Sequence, residues 1–275
     1  MLPKISIITP SFNQGVFLEE TLKSVFQQGY ENLEYIVVDG GSTDNSLEIL
    51  EKYSNQLDWW VSEPDRGQAH AINKGFARAT GDWLAWLNSD DIYLPGALSE
   101  VARVIQEKQQ CDWIVGAVQV SDQRLKPLSN WEPVCQTDDW LDFVCTKRHS
   151  GTALPQPGSF WSRTAWEVTG EINEDLRYTM DHEYWGRLAF NGFRPLCISK
   201  PLAAFRMQNK AKTAEGKEPF WAEEIAIVKW WLERTTGHDA RILQSYLRTF
   251  RLRNYLGMYG QKWHKAMALM KNCWS

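Results

Sequence analysis

Cysteine is sparse in this 275-residue chain. The five present (Cys111, Cys135, Cys145, Cys197 and Cys273) are odd in number, scattered, and form no CxxC pair. That pattern argues against a disulfide framework or a zinc site and fits a reducing cytosol. Histidine is equally thin: His70, His149, His182, His238 and His264 show no metal-ligand spacing. No apolar stretch approaches the roughly 20 residues that a membrane-spanning helix needs. No basic, apolar, small-residue leader opens the chain either, since Pro10 follows only a short apolar run. A cytoplasmic protein is the expectation. Internal repeats and low-complexity tracts are also missing.

What is present is ordinary for a globular protein in bulk, with 43% hydrophobic and 23% charged residues. Tryptophan is the exception, at 15 copies. Core packing, sugar-stacking platforms and membrane interfaces all use it, so its abundance alone does not choose among them. The net charge of −4 hides an asymmetry. From Lys229 onward nine basic residues face two acidic ones, a balance of +7 that leaves −11 on the remainder. An acidic body with a basic tail argues against a nucleic-acid partner and makes an anionic lipid surface a candidate contact.

The first 120 residues alternate between two periodicities. Ile5–Ile8 reads as a buried strand, and Leu18, Leu22, Val25 and Phe26 then recur at amphipathic-helix spacing. Leu33–Val38 is a second strand. The helix after it is expected to turn Leu47, Leu50 and Tyr53 inward, with Ser42 and Asp44 as cap candidates. Trp59–Ser62 is a short strand, Gly67–Ala79 a helix, Trp83–Leu87 a strand, and Leu98, Val101, Ala102 and Ile105 line a further helix. Repeated strand–helix units predict an α/β fold, a mostly parallel sheet with helices on both faces. Ligands of such sheets collect at the carboxyl ends of the strands. Four polar clusters fall there: Thr9–Asn13, Asp39–Asp44, Glu63–Gly67 and Asn88–Asp91.

Residues 121–158 are irregular and proline-bearing, expected as loops and short strands on an acceptor side. A helix around Thr179–Asn191 and a strand near Arg194–Ile198 follow. Residues 219–275 read as two or three helical pieces, broken at Gly237 and near Gly257–Gly260. The expected organisation is thus an α/β half (1–120), a second half of the same domain (121–210), and a basic helical extension (211–275).

Three carboxylate sites carry candidate chemistry, each beside a plainer structural reading. Asn88-Ser89-Asp90-Asp91 ends an apolar strand. Carboxylates on such a rim suit Mg²⁺ or Mn²⁺, which take oxygen ligands from one or two carboxylates plus substrate phosphates. Asp90 or Asp91 as the cap of a helix starting near Pro95 is the alternative. Asp39 also sits at a strand end, where it could accept hydrogen bonds from a nucleobase or ribose, or simply organise a tight turn. Asp181 opens a helix, as a general base toward an acceptor hydroxyl or as an N-cap.

In this order the clusters resemble the inverting glycosyltransferase family 2, which has a GT-A fold. The resemblance runs from about Pro3 to Arg206. It rests on Ile7–Asn13, Val37–Asp44, Ser62–Gln68 leading into Ala71–Gly75, Leu87–Asp91, and Pro157–Trp161 with Met180-Asp181 and Arg187. It implies nucleotide contacts at Thr9, Pro10, Ser11, Asn13, Asp39, Asp65, Arg66, Gln68 and Ser89. It further implies a divalent cation at Asp90 with Asp91 supporting, and Asp181 as catalytic base. Asn88 stands where the family's metal motif has its first acidic residue, so the cation must rest chiefly on Asp90.

Transfer from a UDP-, dTDP- or GDP-linked donor to a saccharide or lipid-linked saccharide acceptor is the implied activity, with a place in cell-surface polysaccharide or glycolipid assembly. A sugar nucleotidyltransferase would want a basic, glycine-rich loop after the first strand, and Thr9–Gly15 has no Lys or Arg. A non-catalytic nucleotide- or sugar-binding module is the rival of another class. In the tail, Leu243, Tyr246, Leu247 and Phe250 form an apolar stripe with Arg241, Arg248 and Arg251 roughly opposite. The stripe either packs on the catalytic domain or, with Trp263, Trp274 and the basic balance, lies on an anionic membrane at the inner face of the cell membrane.

Overall fold

The computed structural model describes residues 2–108, 110–135, 139–145, 152–208 and 218–250. In chain order its elements are β1 (Ile5–Ser11), α1 (Gly15–Phe26), β2 (Leu33–Asp39), α2 (Ser46–Tyr53), β3 (Trp59–Ser62), α3 (Gln68–Arg78), β4 (Trp83–Trp86), β5 (Ile92–Tyr93), α4 (Ala97–Glu107) and β6 (Trp113–Ser121). There follow β7 (Pro127–Trp131), β8 (Val134–Cys135), α5 (Leu141–Val144), β9 (Thr152–Ala153), β10 (Ser159–Ser162), α6 (Arg163–Thr169), α7 (Met180–Phe190), β11 (Leu196–Arg206) and α8 (Glu218–Leu232). The chain divides into two compact units, Met1–Phe220 and Trp221–Ser275.

The first unit is built on a sheet of order β3-β2-β1-β4-β10-β6-β11-β5, with β7 paired to β6. β1 to β4 run parallel, as does β11 beside β6, while β10 runs antiparallel to both its neighbours. Alternation along the strands separates two faces. Ile5, Ile7, Tyr35 and Val37 pack with Leu18, Leu22, Leu50, Leu98 and Val101 from α1, α2 and α4. On the other face Gly75 of α3 lies so close to Ile8 that an added Cβ would meet its Cγ2 at 2.5 Å.

That second face is where tryptophan concentrates. Trp86, Trp113, Trp161 and Trp185 are buried, with Trp185 in ring contact with the other three, and Phe76, Trp166 and Tyr184 extend the cluster. Trp86 and Trp161 meet edge to face at 5.3 Å, the arrangement that aims a ring's positive edge at a neighbour's negative face. Much of the tryptophan excess is therefore core.

Several local expectations change. In α2 Leu47 is 39% exposed and Ile49 is buried in its place, because the helix starts at Ser46 rather than at the earlier cap candidates. Asp44 lies before it and ties two helices together: one carboxylate oxygen accepts from Gly15 N and the other from Ser46 N. β6 had no counterpart in the sequence reading, although it is apolar nearly throughout and buried between β10 and β11. β11 runs past the expected end at Ile198 to Arg206, with register shifts around Pro201, where a ladder N–H is missing. Cys197 is disulfide-bonded, which corrects the expectation of unpaired thiols.

In the second unit, residues 237–250 are helical. Leu243, Tyr246 and Phe250 are buried, the Tyr246 hydroxyl donates to Glu224 in α8, and Arg241 and Arg248 are exposed. Arg251, Trp263, Trp274 and the predicted break near Gly257–Gly260 lie outside the described residues. Among the described residues no helix is long and apolar enough to cross a membrane.

Candidate active site

Register places the strand ends side by side: Ser11 is opposite Asp39, and Asp39 opposite Ser62. Asp39 is buried, and its carboxylate takes four hydrogen bonds from its own surroundings. Oδ2 accepts from Gly41 N, Ser42 N and Ser62 Oγ, and Oδ1 from Ser42 Oγ at 2.6 Å. The turn is bound to the β1 loop through Asn13, whose N–H donates to Ser42 Oγ while its Oδ1 accepts from Thr43 N. Asn13 takes a positive φ of 52° to do so, a conformation asparagine tolerates. Gly40 admits a close neighbour: a Cβ there would lie 2.7 Å from Asp65 Oδ2. Asp65 in turn accepts from Gly67 N.

The remaining residues expected at a nucleotide divide by exposure. Thr9, Pro10 and Ser11 are buried strand positions, and the Thr9 hydroxyl pairs with Tyr35 at 3.0 Å, inside the sheet's aliphatic face. Ser89 is also buried, and its carbonyl accepts from Thr21. Phe12, not singled out by sequence, is 59% exposed beside Asn13. Its only sequence signal is an aromatic residue stranded in a polar loop.

Arg66 is turned toward Glu174, donating from Nε at 3.0 Å, and Asn73 holds Glu174 from another side. Burial would raise the Glu174 carboxyl, but hydrogen bonds from Asn73 and Arg66 keep it below the usual range.

The loop after β4 is built differently. Asn88 belongs to a carboxamide chain: Gln68 Nε2 donates to Asn88 Oδ1 at 2.6 Å, Asn88 Nδ2 donates to Gln156 Oε1, and Gln156 Nε2 to Trp86 O. Asp91 is fully buried and accepts from the Arg206 backbone N–H at 2.9 Å. Burial, then the neighbouring Asp90 charge, push its carboxyl well above the usual range. Asp90 is half-buried, with Oδ2 accepting from Gln208 Nε2 at 2.6 Å. Neither aspartate caps α4, whose N-cap is Gly96.

Arg206, 2% exposed, is the staple of this loop. It donates to Asp90 O, Gln123 O and the Glu20 carboxylate, and stacks over Phe17 at 4.6 Å. Arg206 and Gln208 went unnoticed in the sequence, where their only signal is polarity at the end of an apolar strand.

No group of three or more His, Cys, Asp or Glu is assembled among the described residues. The donors presented, one half-buried carboxylate with carboxamide oxygens near it, fit a hard cation completed by phosphate oxygens.

Asp181 lies in the first turn of α7 and is not its cap, which is Thr179. Its Oδ1 accepts from His182 N. One turn on, Trp185 stacks on Trp86 at 5.9 Å. This contact seats α7 on the strand that leads into the Asn88–Asp91 loop. Arg187 is structural: it grips Glu183 and the carbonyls of Thr169 and Glu171.

A largely parallel sheet with helices on its faces and aspartates at the ends of its strands is the GT-A architecture. Residues 6–146 match the family model described as glycosyl transferase family 2, and the chain belongs to that family. A Bacillus subtilis protein named for teichuronic acid biosynthesis, the glycosyltransferase TuaG, is 28% identical over 213 residues, 76% of this chain and 81% of that one. The chain spans 33% of an uncharacterized glycosyltransferase of Nostoc, 35% identical over 106 residues, and 58% of one from Rickettsia typhi, 28% identical over 189 residues.

Among solved structures, residues 1–349 of S. aureus TarS with UDP-GlcNAc superpose with a TM-score of 0.68 at 21% identity, over 92% of this chain and 72% of that one. The mannosyltransferase PcManGT of Pyrobaculum calidifontis, in complex with GDP-Man and Mn²⁺, gives 0.65 at 16%, over 90% and 70%. These two likenesses establish the fold.

Proposed function

We propose that the chain is an inverting, metal-dependent glycosyltransferase that moves a sugar from a nucleotide donor to an acceptor hydroxyl. The observation that carries this is the Trp86–Trp185 stack, which puts the helix bearing Asp181 against the strand bearing the Asp90 loop. Residues 1–120 hold the donor and 121–210 supply the acceptor side and the base. Asp39 has one oxygen with a single internal partner, and through it meets the ribose or base, while Phe12 offers an apolar face to the nucleobase. A divalent cation at Asp90 would offset charge on the leaving diphosphate. Asp181 takes the acceptor proton as the hydroxyl oxygen bonds to the anomeric carbon and the bond to the diphosphate oxygen breaks on the opposite face.

Donors of the UDP, dTDP or GDP class and a saccharide or lipid-linked acceptor fit this reading, supported by the polymer-related name of TuaG and the donors bound in TarS and PcManGT. Residues 211–275 are the basic extension. Leu243, Tyr246 and Phe250 of its apolar stripe are buried, so adsorption to an anionic inner-membrane surface would rest on the arginine face and be salt-sensitive.

Asp181→Asn tests the assignment. Turnover, read as nucleoside diphosphate release, should fall by roughly two to four decades with donor affinity intact. A slight loss, or loss of donor binding with it, removes Asp181 as the base. Absence of release from every donor tried would favour a binding module.

A further inference from the structure

The loop that carries Asp90 is held through three consecutive carbonyls, those of Ser89, Asp90 and Asp91. Thr21, buried in α1, donates its hydroxyl to Ser89 O at 3.0 Å and to Asp91 O at 2.7 Å. Arg206 Nε donates to Asp90 O at 2.7 Å. A helical threonine often turns its hydroxyl back on a carbonyl of the preceding turn. Thr21 directs it instead at a loop 68 and 70 positions away. One helix face continues the pattern. Ser24 Oγ accepts from Tyr93 N, and Gln28 Nε2 donates to Leu94 O. Thr21, Ser24 and Gln28 stand at i, i+3 and i+7, so they share that face. Of the three, Thr21 alone reaches the residues on either side of Asp90.

We propose that Thr21 is a positioning residue for the cation, its hydroxyl fixing the direction in which Asp90 presents its carboxylate. This rests on the metal-dependent reading above. Between rigid peptide planes each residue has only two soft torsions, φ and ψ. The plane before Asp90 carries the Ser89 carbonyl, and the plane after it carries the Asp90 carbonyl. Thr21 holds the first and Arg206 the second. Both torsions of Asp90, and with them its Cα–Cβ direction, are therefore set from outside the loop. The Asp91 carbonyl, also on Thr21, fixes the next plane and helps seat Asp91, whose own carboxylate accepts from Arg206 N. Loss of one hydroxyl thus releases two peptide planes at once. A site ligand has to be held within about 0.5 Å to bind well, and Thr21 supplies that constraint without touching the ion.

The test is Mn²⁺ binding to the full chain in the presence of UDP or GDP, measured by electron paramagnetic resonance of free Mn²⁺, alongside nucleotide binding in EDTA and melting temperature. Thr21→Val keeps the shape and removes the donor. It should weaken Mn²⁺ binding roughly 10-fold and leave nucleotide binding in EDTA unchanged. Thr21→Ser restores the hydroxyl and should bind Mn²⁺ like the parent. Thr21→Ala takes the place of the valine form if that does not fold. Gln28→Leu is the control, since it cuts a contact beyond the loop: its melting temperature should fall while Mn²⁺ binding stays at the parent level.

Parent-like Mn²⁺ binding by Thr21→Val, with Asp90→Ala failing to bind, would overturn the Thr21 assignment and leave the metal reading intact. Equal weakening in Thr21→Val and Gln28→Leu, or in Thr21→Val and Thr21→Ser, would reduce Thr21 to a packing residue and overturn it as well. No Mn²⁺ retained by the parent chain with either nucleotide would overturn both readings.

Discussion

The turn after β2 and the loop after β4 stand at the same edge of one sheet, yet they hold their carboxylates by different means. Asp39 takes three of its four hydrogen bonds from Gly41 and Ser42 and the fourth from Ser62 on the adjoining strand. Asp90 and Asp91 are held by Gln208, 118 positions away, and by the backbone of Arg206, 115 positions away. The first arrangement forms almost as soon as the turn does. The second exists only when β11 has added to the sheet, so the loop after β4 depends on long-range closure and the turn after β2 much less.

The comparison is broken most severely at Arg206. Arg206→Leu leaves the Asp90 and Gln123 carbonyls without a donor in a buried setting and unpairs Glu20. A loss on the order of 3 kcal/mol in unfolding free energy is expected, together with weakened Mn²⁺ binding and nucleotide binding in EDTA preserved. Denaturant melts with the three variants Arg206→Leu, Arg206→Lys and Asp39→Ala would show whether damage stays on its own side of the site.

Long-range closure also operates at the opposite edge. Burial would raise the Glu34 carboxyl, but Ser6, Thr80 and Lys4 bring it down to about 2 from an ordinary 4.5. A depressed folded-state value means that the stabilisation is complete above the unfolded value. It is lost as pH falls through 4.5 toward about 2, a contribution on the order of 2 kcal/mol. Glu34→Gln should be less stable than the parent at pH 7, with the gap narrowing below pH 4.5 and closing only near pH about 2; parallel melting curves at all pH values would refute this.

On the local side the effects are smaller and more specific. Asp39→Ala should weaken binding of free nucleotide by about 1–3 kcal/mol, by calorimetry, whatever sugar is attached. Unchanged affinity would confine Asp39 to the turn. Smallest is Asp44→Ala, which removes a carboxylate shared by the starts of α1 and α2. Unfolding should show a loss of about 1 kcal/mol, with Mn²⁺ binding untouched.

Much of the first four strands and their turns was legible in the residues because its causes are local. Alternating apolar periods placed β1 to β4 and the helices between them, and Asp39-Gly40-Gly41-Ser42 carries its own hydrogen-bond partners. The misplaced residues are instructive. Leu47 and Ile49 compete for the inward face of α2, and the choice falls to where the helix begins, which Asp44 and Gly15 settle across two elements. Thr9 reads as a loop residue beside Pro10, but Tyr35 on the neighbouring strand claims its hydroxyl.

By itself the sequence determined the parallel strand–helix units, the edge at which the carboxylates gather, and the family. Periodicity, turn chemistry and motif order are properties of neighbours along the chain. Only the tertiary structure decided which carboxylate of the Asn88–Asp91 loop is exposed, that tryptophan concentrates in a core layer under α7, and that Arg206 and Gln208 complete the loop. Those outcomes depend on burial and on hydrogen-bond partners more than a hundred residues apart, and such pairs leave no spacing in the chain to read.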